Sequence, residues 1–288
     1  MTELRKRMIE CLQLRGLSER TQALYTAAVG QLAEHYHKPP DQITEEELRE
    51  YFLFIKNVKN YSRNTMTVAL CAIKFFYEQT LNRSWAVLKI VRPPREKKLP
   101  VILRPAEVRQ ILSGLKLLRY KVCLTTIYSC GLRLQEGANL RVADIDSARH
   151  MLHIRHGKGA KDRYVPLPTR TLQLLREYWA THRNPVLLFP TSGRRGIPLS
   201  LSTEPMAGRS VQHAFQAALK GSRINKLASV HTLRHSWATH LLEAGINVLL
   251  LQGWMGHSSV ATTGLYTHLT AYSEKLGAQT IDDLMNDL

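Results

Sequence analysis

Apolar positions recur at helical spacing through the first 88 residues. Leu4, Met8, Cys11 and Leu12 make one stripe, and Leu24, Ala28 and Leu32 make a second. Ser18 stands where it can cap the second helix. Thr44 followed by Glu47 is a capping-box pattern ahead of Leu48, Tyr51, Phe52 and Ile55. Ser62 opens a further helix carrying Val68, Leu70, Ile73, Phe76 and Tyr77. Each of these four helices is too amphipathic to stand alone, so together they predict a small bundle over 1–90.

The texture then changes. The stretch 91–105, VRPPREKKLPVILRP, holds four prolines and five basic groups. Proline is excluded from helix interiors, so the stretch predicts an extended linker. Its Arg95, Lys97 and Lys98 either follow a phosphate backbone or are simply solvated. The remainder, 106–288, reads as mainly helical with a small β element. Helices are expected near 105–114 and 118–129. IRHGKGAKDRYVPL then alternates as a hairpin does, with Gly157 and Gly159 at the turn. Further helices are expected near 168–181, 207–220, 232–243, 247–254, 259–269 and 272–286. Gly245 falls where a left-handed C-cap is expected after the 232–243 helix.

Composition narrows the class. A chain of 288 residues with 44% apolar residues has material for two cores, and its 22% charged residues argue against overall disorder. Lys plus Arg number 40 against 23 Asp plus Glu, a net charge of +17. The excess is concentrated: residues 96–267 carry 24 basic and 9 acidic groups, or +15, while 268–288 set Lys275 against Glu274, Asp282, Asp283 and Asp287. A folded region that basic calls for a polyanion, with nucleic acid the first candidate. The four cysteines, Cys11, Cys71, Cys123 and Cys130, are widely spaced and form no CxxC pair, which suits a reducing, cytoplasmic setting. No run approaches the roughly 18 apolar residues of a membrane span. The N-terminus lacks the continuous apolar core of a secretion signal.

Four segments of the basic half carry candidate chemistry. In SCGLRLQEGANL, Arg133 precedes Glu136 by three positions, a spacing that also fits a simple intrahelical ion pair. Lys158 lies between two glycines on the hairpin, free to swing into a groove or to stay solvated, without the spacing of a Walker loop. In HTLRHSWATHLLEAG, His231 and His235 share a helix face at metal-ligand spacing, but Arg234 beside them disfavours a dication. Arg and His clustered near a helix N-terminus suit an anion better. In GWMGHSSVATTGLYTHL, His257 precedes a helix, capped by Ser258, that carries Tyr266.

Taken in order, GLRLQE, GKGAKDRYVPL, HTLRHSWATHLLEAG and MGHSSVATTGLYTH resemble the tyrosine recombinase (phage integrase) family, especially its Xer-type and integron-type members. The spacings fit: 25 residues from Arg133 to Lys158, three from His231 to Arg234, nine from His257 to Tyr266. The resemblance is strong over about 125–270, and looser over 1–90, which looks like the family's SAM-like core-binding domain. Four positions depart from the family's usual text. Gly137 replaces a large aliphatic residue, which predicts looser local packing; Trp254-Met255 replaces Leu-Leu; and Gly264 weakens its helix by up to about 1 kcal/mol relative to alanine.

The resemblance implies a mainly α fold: a four-helix DNA-binding domain joined to a mixed, mostly helical catalytic domain. It implies strand cleavage and rejoining through a 3′-phosphotyrosyl link, with Tyr266 as nucleophile. Arg133 and Arg234 would hold the scissile phosphate with support from His257. His231 would assist proton movement at the tyrosine, Lys158 would protonate the departing 5′ oxygen, Glu136 would orient Arg133, and His235 would be structural. Neither metal nor other cofactor is implied. The expected partners are double-stranded DNA sites and three further copies of the chain, with a second recombinase or a DNA-bending protein as possible additions. The 272–286 helix, through Ile281, Leu284 and Met285, would dock on a neighbour or fold back in cis. Arg209 and His213 on the 207–220 helix are candidates for a groove contact. A topoisomerase-like swivel enzyme and a non-catalytic DNA-binding protein stand as alternatives.

Overall fold

The computed structural model describes residues 2–89, 100–155, 162–191 and 196–256. The expected helices at 259–269 and 272–286, the hairpin turn with Gly157, Lys158 and Gly159, and the linker residues Arg95, Lys97 and Lys98 lie outside the described residues, as do His257, Gly264 and Tyr266. The chain divides into two compact units, Met1–Glu96 and Lys97–Leu288.

The first unit opens with α1 (Glu3–Leu14), and α2 (Glu19–Tyr36), α3 (Glu45–Asn57) and α4 (Arg63–Phe75) start where their polar caps direct. The Ser18 and Ser62 hydroxyls accept hydrogen bonds from the backbone N–H groups of Thr21 and Thr65. The Thr44 N–H donates to Glu47 Oε2 at 2.7 Å while the Glu47 N–H donates back to Thr44 Oγ1, so two otherwise orphaned donors are satisfied. Met8, Leu12, Leu32, Leu48, Ile55 and Ile73 fill the core between the helices. Leu24 does not join them and is 49% exposed. Two four-residue steps rotate about 80° around a helix, which carries Leu24 past the edge of the stripe that Ala28, Val29 and Leu32 bury. The helix read as running through Phe76 and Tyr77 loosens there into a π-helical turn, Phe76–Thr80, closed by Leu81 N–H on the Phe76 carbonyl. Both aromatic rings remain buried.

The second unit is built around α6 (Leu118–Ser129), which packs against α7 (Leu134–Ala138), α8 (Thr169–Ala180), α9 (Gly208–Gly221) and α10 (Val230–Glu243). It opens with α5 (Pro105–Ser113), whose proline sits in the first turn, where its missing N–H is not needed. Before it, residues 100–104 are extended, as suits a segment that begins at Pro100 and runs into Pro105, but they are held fast. Leu103 is buried with its N–H on Ser236 Oγ, and the Ile102 carbonyl accepts from Lys226 Nζ at 3.0 Å. The expected hairpin is β2 (Met151–Ile154) and β3 (Arg163–Pro166), paired antiparallel with His153 opposite Tyr164. A short strand that the sequence did not signal, β1 (Ile145–Asp146), adds to the other edge of β2. Leu152, Ile154 and Val165 turn inward to the core of this unit. α11 (Val248–Met255) follows α10 after a turn in which Gly245 has φ +85° and the Ile246 N–H reaches the Leu241 carbonyl.

Gly137 overturns the expectation of loose packing. A Cβ placed there would stand 2.4 Å from Cγ1 of Ile127 on α6. The missing side chain lets α7 lie directly on α6, so this position is tighter than an aliphatic residue would permit.

Candidate active site

The site begins where α6 ends. Gly131 has φ +60°, and its neighbours close a Schellman turn, with Leu132 N–H on the Ile127 carbonyl at 2.9 Å. Arg133 is then the N-cap of α7, not a residue inside it, with extended φ and ψ of −73° and 152°. The alternative of an ordinary intrahelical pair with Glu136 is thereby replaced by a cap. Glu136 Oε2 accepts the Arg133 backbone N–H, and Glu136 Oε1 accepts from Arg133 Nη1, both at 2.8 Å. One carboxylate satisfies the helix N-terminus and aims the guanidinium.

Two further arginines meet the same carboxylate. Arg163, on β3, grips it with both ends of its fork, Nη1 to Oε1 at 2.9 Å and Nη2 to Oε2 at 2.7 Å. Arg234, in the second turn of α10, brings Nη1 to 3.8 Å from Oε2 and is only 1% exposed. The three arginines also divide the end of α11 among them. Arg163 Nε donates to the Trp254 carbonyl at 2.7 Å, Arg234 Nη2 to that of Met255 at 2.5 Å, and Arg133 Nη2 to that of Gly256 at 3.3 Å. Arg234 Nη1 reaches back to the Gly131 carbonyl at 2.6 Å. Carbonyls at a helix C-terminus lack intrahelical donors and carry the negative end of the dipole, so guanidiniums are their natural partners.

Charge bookkeeping then favours an anion. Among the described residues, three guanidiniums converge on one carboxylate, so cationic groups outnumber anionic ones at this point. Burial raises the Glu136 pKa, but the hydrogen bonds and charges of Arg163 and Arg133 outweigh it and bring it to about 2. Glu136 is therefore ionised throughout the neutral range.

His231 and His235 stand beside this cluster on α10 with their rings edge to face, centroids 4.5 Å apart. His231 is on the exposed side of the first turn. Withdrawal of water by the neighbouring protein, and the charges of Arg234 and Arg133, lower its pKa from 6.5. His235 is lowered further, to about 4, by burial and by His231 and Arg234. Both rings are thus neutral at pH 7, and His231 is the one that water and a substrate can reach. Among the described residues no group of three or more His, Cys, Asp or Glu could hold a metal ion.

Of the residues singled out from sequence, Arg133, Glu136, His231, Arg234 and His235 come together here. Arg209 and His213 lie on the exposed side of α9, 3.5 Å from Nε to Nε2. Arg163 is not among the residues that sequence reasoning singles out, although a signal exists. Arg163 and Val165 share one face of a period-two strand, so the arginine is an inward-facing charge.

Both parts of the chain match known proteins. Residues 102–272 match the model of the phage integrase family, and residues 4–87 match that of the phage integrase N-terminal SAM-like domain. An integrase/recombinase of Escherichia coli is 32% identical over 270 residues, covering 82% of this chain and 80% of its own. The tyrosine recombinase XerA of Pyrococcus horikoshii is 30% identical, covering 90% and 86%. The solved Tn1549 transposon integrase in complex with transposon right end DNA superposes with a TM-score of 0.71 over 98% of this chain and 100% of that one, at 19% identity, a likeness of fold. With the arginine–histidine cluster in place and both parts of the chain matched, this protein belongs to the phage integrase family, the tyrosine-type site-specific DNA recombinases.

Proposed function

We propose that this recombinase cuts and rejoins DNA through a covalent 3′-phosphotyrosyl intermediate, in support of integration, excision or transposition. The observation that carries the reading is the convergence of Arg133, Arg163 and Arg234 on the single carboxylate of Glu136, beside a neutral histidine. A phosphodiester repels a nucleophile through its own charge. Guanidiniums fixed in advance offset that charge most where it grows, in the transition state.

In this reading Tyr266 Oη attacks the scissile phosphorus and gives its proton to His231. The O–P bond to tyrosine forms as the bond to the 5′ oxygen breaks, and Lys158 protonates that oxygen. Attack by a 5′ hydroxyl of the partner strand reverses each transfer, and because the phosphotyrosine conserves the bond energy no nucleotide is consumed. Arg133 and Arg234 hold the non-bridging oxygens, with His257 supporting them.

The family's arrangement gives each part of the chain a task. The 1–90 region and the 106–288 region, joined by 91–105, each contact DNA, and Arg209 and His213 offer a groove contact. Four protomers on two sites cut in turn, and the 272–286 helix docks on a neighbour. The Tn1549 integrase, a relative in fold that was solved in complex with transposon right end DNA, supports duplex DNA as the partner. A cytoplasmic location suits that partner.

Trapping the covalent adduct tests the reading. The protein is mixed with DNA flanking its own gene, including nicked fragments, and stopped with detergent, with Tyr266→Phe as the control. The expected result is an adduct at Tyr266 on a 3′ phosphate that the control lacks. An adduct on another residue, or none with tight binding intact, would overturn it. Joined sites distinguish a recombinase from a topoisomerase, which only relaxes supercoils.

The lowered pKa of His231 adds a pH prediction. A base is active when neutral, and a histidine held below 6.5 stays neutral as pH falls until its own lowered value is reached. Single-turnover cleavage should therefore hold its rate down through neutrality and lose it only below pH 6.5. An acid limb with its midpoint above about pH 7 would rule out His231 as the base.

A further inference from the structure

The geometry points to Arg163 as a positioning residue of the cleavage site: it locks the Glu136 carboxylate and the end of α11 in one frame, and so sets the aim of Arg133. This assignment rests on the function proposed above. Three contacts from one guanidinium carry it, two to Glu136 and one to the Trp254 carbonyl.

The logic is geometric. Without Arg163 the carboxylate would be held only by Arg133, the residue whose aim it sets, and by the more distant Arg234. Arg133 and Arg163 share Oε1, while Arg163 and Arg234 face Oε2. The bidentate grip fixes the carboxylate plane, and with it the direction from which Arg133 is held. The side chains of Arg163 and Glu136 are 8% and 9% exposed, so solvent does little to loosen them. Arg133 is more open, at 24%.

The same guanidinium ties distant parts of the chain to one point. Arg163 lies five residues after Lys158 on β3, and Trp254 lies three before His257. Nε on the Trp254 carbonyl therefore connects the strand that follows Lys158 in the sequence to the helix that precedes His257. The Cβ of a residue at 256 would stand 3.0 Å from Cδ of Arg163, so Gly256, with φ +59°, lets the backbone settle against that side chain.

The test uses the full chain with Arg163→Gln and Arg163→Lys, read by DNA affinity and by single-turnover adduct formation on nicked duplex. Binding should stay within about 3-fold, since most affinity comes from other basic groups. Cleavage should fall on the order of 100-fold in both variants, because misaiming a catalytic group by about 1 Å costs that much. Lysine should not rescue, having the charge without the fork. In an Arg133→Lys background the added penalty of Arg163→Gln should shrink to less than about 5-fold, as it must if the two act through one carboxylate.

Cleavage by Arg163→Gln within about 3-fold of the unsubstituted chain, or full additivity with Arg133→Lys, would overturn the assignment. Unfolding of both variants would overturn it as well, making Arg163 a residue that holds the fold. Failure of the underlying function looks different, since the unsubstituted chain would then give no Tyr266 adduct at all.

Discussion

Arg234→Ala should lower single-turnover strand cleavage by about 1,000-fold or more, the largest expected loss of activity from a substitution among the described residues. A single preorganised donor to a developing oxyanion is worth roughly 100- to 1,000-fold, and a guanidinium adds net charge to its donors. Arg234 is 1% exposed and fixed by the carbonyls of Gly131 and Met255, so no reorganisation is needed when charge builds on the phosphate. Its removal also strips two buried carbonyls of their donor, at about 1–3 kcal/mol each. Lysine should not restore the rate, because one ammonium on a flexible stem does not reproduce a planar fork set between two carbonyls. Cleavage of nicked duplex with detergent trapping reads the effect, and melting of the same samples separates rate from stability. A rate within about 10-fold of the unsubstituted chain would remove Arg234 from the phosphate site.

Gly131→Ala should give the largest loss of stability, about 2–5 kcal/mol, from two independent causes. The backbone there has φ +60°, which costs a side chain roughly 1–2 kcal/mol. The new Cβ would also stand 2.2 Å from Cε3 of Trp237, an overlap that forces a large ring to move within the cluster it shares with Leu242, Leu251 and Met255. A unit of this size should melt about 10 °C lower. Gly245→Ala is the matched control. Its φ is +85°, but the added carbon meets nothing within 4 Å, so only the backbone cost remains. Thermal unfolding of the two variants decides the point: similar melting temperatures would mean that the Trp237 contact contributes nothing. Because the Gly131 carbonyl holds Arg234, the alanine variant should also cleave poorly at temperatures where it remains folded.

The sequence by itself determined what is local. Ser18, Ser62 and the Thr44–Glu47 box set helix starts because a cap and its N–H partner lie within three residues. The β2–β3 pairing follows from alternation, and the turn after α10 from Gly245, since both are settled within a few residues. The ordered set Arg133, His231 and Arg234 was legible as chemistry because residue types and spacings survive in one dimension.

What only the tertiary structure decided depends on residues far apart in the chain. Leu24 has the spacing of a core residue, but the neighbouring helices place the boundary of the stripe one turn along, at Ala28. Gly137 read as a loss of packing until Ile127 appeared 2.4 Å from its missing Cβ. Glu136 and Arg163 are 27 residues apart, and Arg163 and Trp254 are 91 apart. No spacing rule reaches that far. Local patterns fix which groups a segment offers, while the close approach of α7, β3, α10 and the end of α11 fixes which of them share one carboxylate, and that sharing gathers arginines scattered along the chain at one point.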